Sequence, residues 1–153
     1  MLFRSVEVKD KQEQMEKTES GRQFATGICA ENKVARINTG DAWEIYRENC
    51  DKAGIVHNLC ARLGWGEADA RFGYTGDGYH DGDTGGGQYL NACVWFEILT
   101  GKDCRENTYA PTYTRDGKTY TLTDEQLRML KEAAHEAVTV RLPQYPEWEG
   151  IGK

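Results

Sequence analysis

The sequence predicts an α/β fold that is rich in helices and poor in strands. Three or four segments repeat their apolar residues with the period of a helix, whereas a single short segment, residues 34–37, reads as a core strand. A hairpin is expected where Asp116-Gly117 separates two short polar strands. Helices that alternate with strands usually cover a parallel sheet, which one strand cannot form. Either the helices pack as a bundle, or the rest of the sheet is encoded elsewhere.

Length and composition suit one domain over residues 1–153, although we expect that domain to be incomplete. The chain carries 25 acidic and 19 basic side chains without a basic stripe, which argues against nucleic acid or an anionic membrane as a partner. We find no apolar run of membrane-spanning length and no signal-peptide core, so a cytoplasmic location is expected for the chain as it stands, which leaves the localisation of a longer protein unknown. Its five cysteines form no CxxC pair, which favours free, mostly buried thiols.

The first half of the chain predicts three helical segments around the strand. Residues 9–23 are rich in Lys, Glu and Gln and predict a solvated or frayed helix, with Phe24 and Ile28 as its first anchors. After the strand, Asp41 is the expected N-cap of a helix that ends at Gly54. Its apolar face comprises Ala42, Ile45, Tyr46 and Cys50. A further short helix is expected over residues 55–63, followed by a loop.

The second half predicts a strongly apolar central helix that begins after an Asp83 or Thr84 N-cap and ends at Gly101. Thr123 and Gln126 have the spacing of a capping box and open a last helix. The apolar face of that helix comprises Leu127, Leu130, Ala134 and Val138. Three aromatic side chains are expected in the core, although an incomplete domain would leave part of their surface exposed: Trp43, Trp95 and Phe96.

The candidate functional residues lie in the glycine-rich loop that precedes the central helix. Asp77 and His80 are separated by two residues, so the carboxylate can fold back and accept the hydrogen on the imidazole Nδ1. Nε2 is then left as a base for a nucleophile, normally a serine. The same four residues are also typical of plain turn chemistry, so the spacing alone leaves both interpretations open.

This loop and the helix after it carry a resemblance to a known family. Asp77-Gly-Tyr-His80 and the following block Tyr-Leu-x-Ala-Cys-x-Trp-Phe-Glu resemble the C-terminal block of SGNH/GDSL-type serine hydrolases, and most closely a bacterial subgroup known as a domain of unknown function. Residues 34–47 are similar to that subgroup's late strand and helix start, and residues 122–127 to its last helix. The likeness covers roughly residues 30–138.

The resemblance implies a three-layer α/β/α, flavodoxin-like fold, of which this chain would be the C-terminal portion. It implies hydrolysis of carbohydrate or small esters through an acyl-enzyme, with Asp77 orienting His80 as general base and then acid, and it implies no cofactor. The family's nucleophile block and oxyanion residues have no counterpart here, and Ser5 and Ser20 lie in charged contexts. We therefore expect a hydrolase portion that is inactive without its serine half, which would come from the missing N-terminal part or from a partner such as a second copy of the chain.

Other interpretations use the same residues. The loop's aspartates and glycines suit Ca²⁺ chemically, but the EF-hand pattern fails because Gln88 and Ala92 stand where acidic ligands are needed. Zinc is disfavoured because His57 and His135 have no partner at ligand spacing, and both are expected to be structural, His135 on the exposed side of the last helix. The remaining alternatives are a Ca²⁺-binding module built on this loop and an inactive structural remnant.

Overall fold

The computed structural model describes residues 7–8, 10–34, 36–60, 76–77 and 82–141. Helices dominate this part of the chain: α1 spans Lys11–Asn32, α2 Thr39–Ala53, α3 Gly87–Thr100 and α4 Asp124–Glu136. A 3₁₀ turn at Cys104–Glu106 follows α3, and α4 continues as a π-helical turn through Ala137–Arg141.

The strands form two small antiparallel ribbons. β1 (Glu7–Val8) pairs with β2 (Gly76–Asp77), and β3 (Thr112–Arg115) pairs with β4 (Lys118–Thr121). In the second ribbon Asp116 and Gly117 have φ of 52° and 76°, the left-handed conformation that two-residue hairpin turns require. The helix-rich α/β class and this hairpin are confirmed.

The predicted core strand is not a strand in the structure. Residues 36–38 run between α1 and α2 without helix or strand, and residue 35 lies outside the described residues. A strand needs a neighbour for its backbone hydrogen bonds, and no described segment pairs with this one. Instead of pairing as a strand, this segment buries two polar residues, Arg36 and Asn38.

The hydrophobic core lies where α2, α3 and α4 pack against one another. The predicted apolar face of α2 is buried as expected, and Leu130 and Ala134 of α4 are completely buried. Five large side chains fill the centre, each of them fully enclosed: Tyr46, Leu59, Leu90, Val94 and Leu130. Leu59 reaches this core from a turn, because the helix predicted over residues 55–63 is absent from its described part, residues 55–60.

The solvated helix predicted for residues 9–23 is confirmed as α1, which continues nine residues beyond that segment. Its predicted anchors are wrong, because Phe24 is 72% exposed and Ile28 is also exposed. The guanidinium of Arg22 instead attaches the helix to α2 through Asp41 and Glu44, at 2.6 and 2.7 Å.

Two predicted helix starts are wrong and two predicted ends are right. Helix α2 begins at Thr39 rather than after Asp41, since the Asp41 carboxylate is held by Arg22 and Arg36 and not by the helix amides. Helix α3 begins after Gly86. Both end at glycines in the left-handed conformation, Gly54 and Gly101, as predicted. The Thr123–Gln126 capping box is confirmed at the start of α4.

Candidate functional site

The predicted pair Asp77 and His80 falls at the edge of the described structure. The backbone of Asp77 lies in β2, where it is the register partner of Glu7. His80 lies in residues 78–81, outside the described residues, so the proposed contact between the two side chains stays a prediction.

The exit of this loop is fixed against the core. The amide of Gly82 donates to the carbonyl of Leu59 at 2.8 Å, and the carbonyl of Gly82 accepts from the amide of Gln88 at 3.0 Å. The side chain of Asp83 accepts from the amide of Thr84 and so closes the turn rather than capping α3. Gly82 and residues 85–87 are buried. The loop therefore meets α3 at a defined position.

Two glycines allow the backbone at the end of the loop to lie close to Leu59 and Leu130. A methyl group at Gly87 would lie 2.2 Å from the carbonyl oxygen of Leu59, and one at Gly86 would lie 2.7 Å from the Cδ1 of Leu130. Gly86 also has a φ of 89°, which side chains disfavour. These positions require glycine because the loop backbone itself packs into the core.

Helix α3 is apolar on both sides, although the described structure covers only one of them. Tyr89, Leu90, Cys93, Val94 and Ile98 are buried. On the opposite side Trp95 is 48% and Leu99 57% exposed. The prediction that Trp95 belongs to the core is therefore wrong for the described residues, while Trp43 is buried and Phe96 partly buried. A helix that is apolar all round is normally covered all round.

A second group of polar side chains lies at the far end of α3. His135 of α4 places Nδ1 3.1 and 3.2 Å from the two carboxylate oxygens of buried Glu97, and 3.5 Å from Oδ1 of Asp103. One ligand atom from each of these three residues lies within 4.8 Å of the other two. His135 is thus partly buried against acidic neighbours, which corrects its predicted place on the exposed side of the last helix.

The cysteines agree with the sequence-based prediction of free, mostly buried thiols. Cys50, Cys60, Cys93 and Cys104 are buried, Cys29 is partly exposed, and all five are free. The hydrogen bond to Cys93, and burial in second place, raise the pKa of the Cys104 thiol. Burial raises the pKa of the Cys50 thiol as well. Neither thiol is suited to act as a nucleophile near neutral pH.

A cleft of about 320 Å³ lies between α1 and the start of α2. Asp41 is its centre: the carboxylate accepts from Arg22 at 2.6 Å, from Arg36 at 3.0 Å and from the Asn38 side chain at 3.1 Å. The Asn38 amide also donates to the carbonyl of Ala137 at 2.8 Å. These groups compensate one another and tie α1, α2 and the end of α4 together, so we assign the cleft a structural role.

The other predicted structural histidine, His57, lies after α2 rather than on a helix flank, and it is buried with Nε2 3.6 Å from Oδ1 of Asp51.

Ser20 is exposed on α1, and Ser5 lies outside the described residues. In the described part of the chain, no helix is both long and apolar enough to cross a membrane.

Comparisons with protein-family models, with curated proteins and with solved structures find nothing that matches this chain. The family resemblance therefore rests on the motifs quoted above.

Sequence reasoning missed the group formed by Glu97, Asp103 and His135. Glu97 and His135 are 38 positions apart and meet only because α3 and α4 pack together. One local signal was present, since a glutamate inside an otherwise apolar helix needs a buried partner.

Proposed function

We propose that this chain is the C-terminal part of an SGNH/GDSL-like ester hydrolase with a flavodoxin-like α/β/α fold. In this proposal Asp77 and His80 are two members of a Ser-His-Asp triad, and the serine and the oxyanion donors come from sequence outside this chain. The substrate class is a carbohydrate ester or another small ester.

The exposed apolar side of α3 carries the proposal. In a three-layer fold, a helix beside the sheet is covered on one side by sheet and on the other by neighbouring elements. Trp95 and Leu99 are four residues apart and thus lie on one side of α3. Their exposure is the expected result when the sheet that would cover them is missing.

The fixed exit of the glycine-rich loop is the second support. A catalytic imidazole must be held in place while a proton moves, and loops carry such groups when a rigid scaffold positions them. Gly82 begins a segment attached to Leu59 and α3, two positions after His80.

The chemistry follows from the roles of the pair. The Asp77 carboxylate would accept the Nδ1 hydrogen of His80, which leaves Nε2 to remove the proton of the serine hydroxyl as it attacks the ester carbonyl. The same imidazolium would then protonate the departing alkoxide, and water would release the acyl group in a second cycle. Asp77 would stabilise the imidazolium in both steps.

The test is to compare this chain with one extended upstream to include an in-frame strand ending in Gly-Asp-Ser or Gly-Asn-Ser. The extended chain should hydrolyse p-nitrophenyl acetate and acetylated xylan, and this chain alone should not. His80→Ala should lower kcat of the extended chain by at least about 10³-fold, since the triad acts as a unit.

The matched control is His57→Gln, which alters a histidine that has no role in the proposed triad and should keep kcat of the extended chain unchanged. An upstream reading frame without such a serine would overturn the proposal. An active extended chain that is indifferent to His80→Ala would overturn it equally.

A further inference from the structure

We propose that Glu97, Asp103 and His135 form a Zn²⁺ site that joins the end of α3, the 3₁₀ turn and α4. This inference does not depend on the proposed hydrolase activity. It rests on three ligating side chains from three separate elements whose ligand atoms converge at one place.

The distances suit a zinc ion. Zinc binds imidazole nitrogen and carboxylate oxygen at about 2.0–2.2 Å in a tetrahedron, and such bonds separate neighbouring ligand atoms by about 3.3 Å. Nδ1 of His135 lies 3.1 Å from Oε1 of Glu97 and 3.5 Å from Oδ1 of Asp103. The ligand atoms of Glu97 and Asp103 lie within 4.8 Å of each other, so an ion between the three atoms requires at most a modest approach of the two carboxylates.

The types of the three ligand atoms favour zinc over the hard cations Ca²⁺ and Mg²⁺. A neutral imidazole with two carboxylates is typical of zinc and related transition metals, whereas Ca²⁺ and Mg²⁺ prefer oxygen ligands alone. Three protein ligands leave the fourth tetrahedral position for water.

Outer hydrogen bonds hold both carboxylates in orientation. The backbone amide of Cys104 donates to Oε1 of Glu97 at 2.8 Å, and Nδ1 of His135 lies 3.1 Å from Oε1 and 3.2 Å from Oε2. The Arg105 guanidinium binds Asp103, with Nη2 2.6 Å from Oδ2 and Nε shared between both oxygens. Contacts of this kind orient ligands around metals in general.

The surrounding charges are compatible with a divalent cation. Two carboxylates face the position of the ion, and the positive side chains near them are Arg105 and Lys131. Arg105 is exposed, and it donates to both oxygens of Asp103, to Oδ2 from Nη2 at 2.6 Å and to Oδ1 from Nε at 2.9 Å and from its backbone amide at 2.8 Å. Oδ1 lies 3.5 Å from Nδ1 of His135, so an ion there would have to displace the Nε hydrogen bond. The ammonium of Lys131 is held by the backbone carbonyl of Asn107 at 3.0 Å. A bound ion would take the place of the hydrogen on Nδ1 of His135, which the imidazole otherwise donates to the carboxylates.

The experiment titrates Zn²⁺ into this chain after treatment with EDTA and dialysis, with the protein made without a polyhistidine tag. A chromophoric chelator as competitor should report one tightly bound ion per chain. Glu97→Gln, His135→Gln and Asp103→Asn should each weaken binding by at least about 10-fold. Glu97→Gln keeps an acceptor for the Cys104 amide, so the variant should remain folded, which circular dichroism checks.

Two controls separate this site from other zinc ligands in the chain. Glu106→Gln removes a neighbouring exposed carboxylate from the same turn and should leave the affinity unchanged. Co²⁺ in place of zinc should give the visible d–d bands of a tetrahedral ion without the near-ultraviolet band of a cobalt–thiolate bond.

Three results would overturn the inference. The first is the absence of stoichiometric binding, and the second is a thiolate band that disappears on cysteine substitution. The third is an affinity unchanged by both His135→Gln and Asp103→Asn.

Discussion

Replacing Gly87 with alanine should destabilise the junction between the glycine-rich loop and α3. The added methyl group would lie 2.2 Å from the carbonyl oxygen of Leu59, where ordinary contacts begin near 3.4 Å, so the two groups must separate by about 1.2 Å. That movement disturbs the hydrogen bond between the Gly82 amide and the same carbonyl. Overpacking typically costs about 1–3 kcal/mol and a lost hydrogen bond about 1 kcal/mol, against about 1 kcal/mol gained in helix propensity. We expect a net loss of about 1–3 kcal/mol.

Urea unfolding followed by circular dichroism measures this loss directly. The matched control is Gly27→Ala in α1, where the methyl group meets nothing within 4 Å and alanine should stabilise the helix by about 0.5–1 kcal/mol. A Gly87→Ala protein as stable as the parent would refute the reasoning. It would mean that the loop does not press on Leu59 and that its exit is not fixed.

Three further perturbations test other parts of the structure. Asn38→Ala removes a buried amide that links Asp41 to the carbonyl of Ala137, and urea unfolding should show a loss of about 2–3 kcal/mol. Thr123→Ala breaks the capping box and should lower the free energy of unfolding by about 1 kcal/mol in the same assay, whereas Thr123→Ser should restore most of it. Burial, and the charge of Arg47 in second place, lower the pKa of His57 against the opposing effect of Asp51. Below about pH 6.5 the unfolded state then binds more protons at this residue, so stability should rise with pH through that range. Unfolding curves at several pH values check this, and an equally steep pH dependence in His57→Gln would contradict it.

Features that depend on neighbours in sequence could be predicted from the sequence. Gly54 and Gly101 end their helices because glycine accepts the left-handed conformation, and Asp116-Gly117 forms its turn for the same reason. Thr123 and Gln126 satisfy each other's backbone amides within one turn.

Features that depend on distant residues could not be predicted in this way. Asp41 matches an N-cap locally, yet its carboxylate is used by Arg22, which lies 19 positions earlier. Gly86, just before α3, has no room for a Cβ because the core side chain of Leu130 lies against it. Residues 34–37 have the apolar character of a strand, but a strand exists only with a partner, and the described residues provide none.

The same distinction between local and distant residues applies to the candidate functional residues. Asp77 and His80 were found because their spacing is local, and whether they meet remains a prediction. Glu97 and His135 were missed as a pair because helix packing brings them together.

The central claim is that Asp77 holds the imidazole of His80 through Nδ1. Long-range ¹H–¹⁵N correlation spectra of this chain, which has three histidines, report which ring nitrogen of each carries the hydrogen, with assignments from His57→Gln and His135→Gln. The claim predicts that His80 carries it on Nδ1 and that Asp77→Ala removes this preference. A hydrogen on Nε2 of His80, or an Nδ1 signal unchanged by Asp77→Ala, would contradict it.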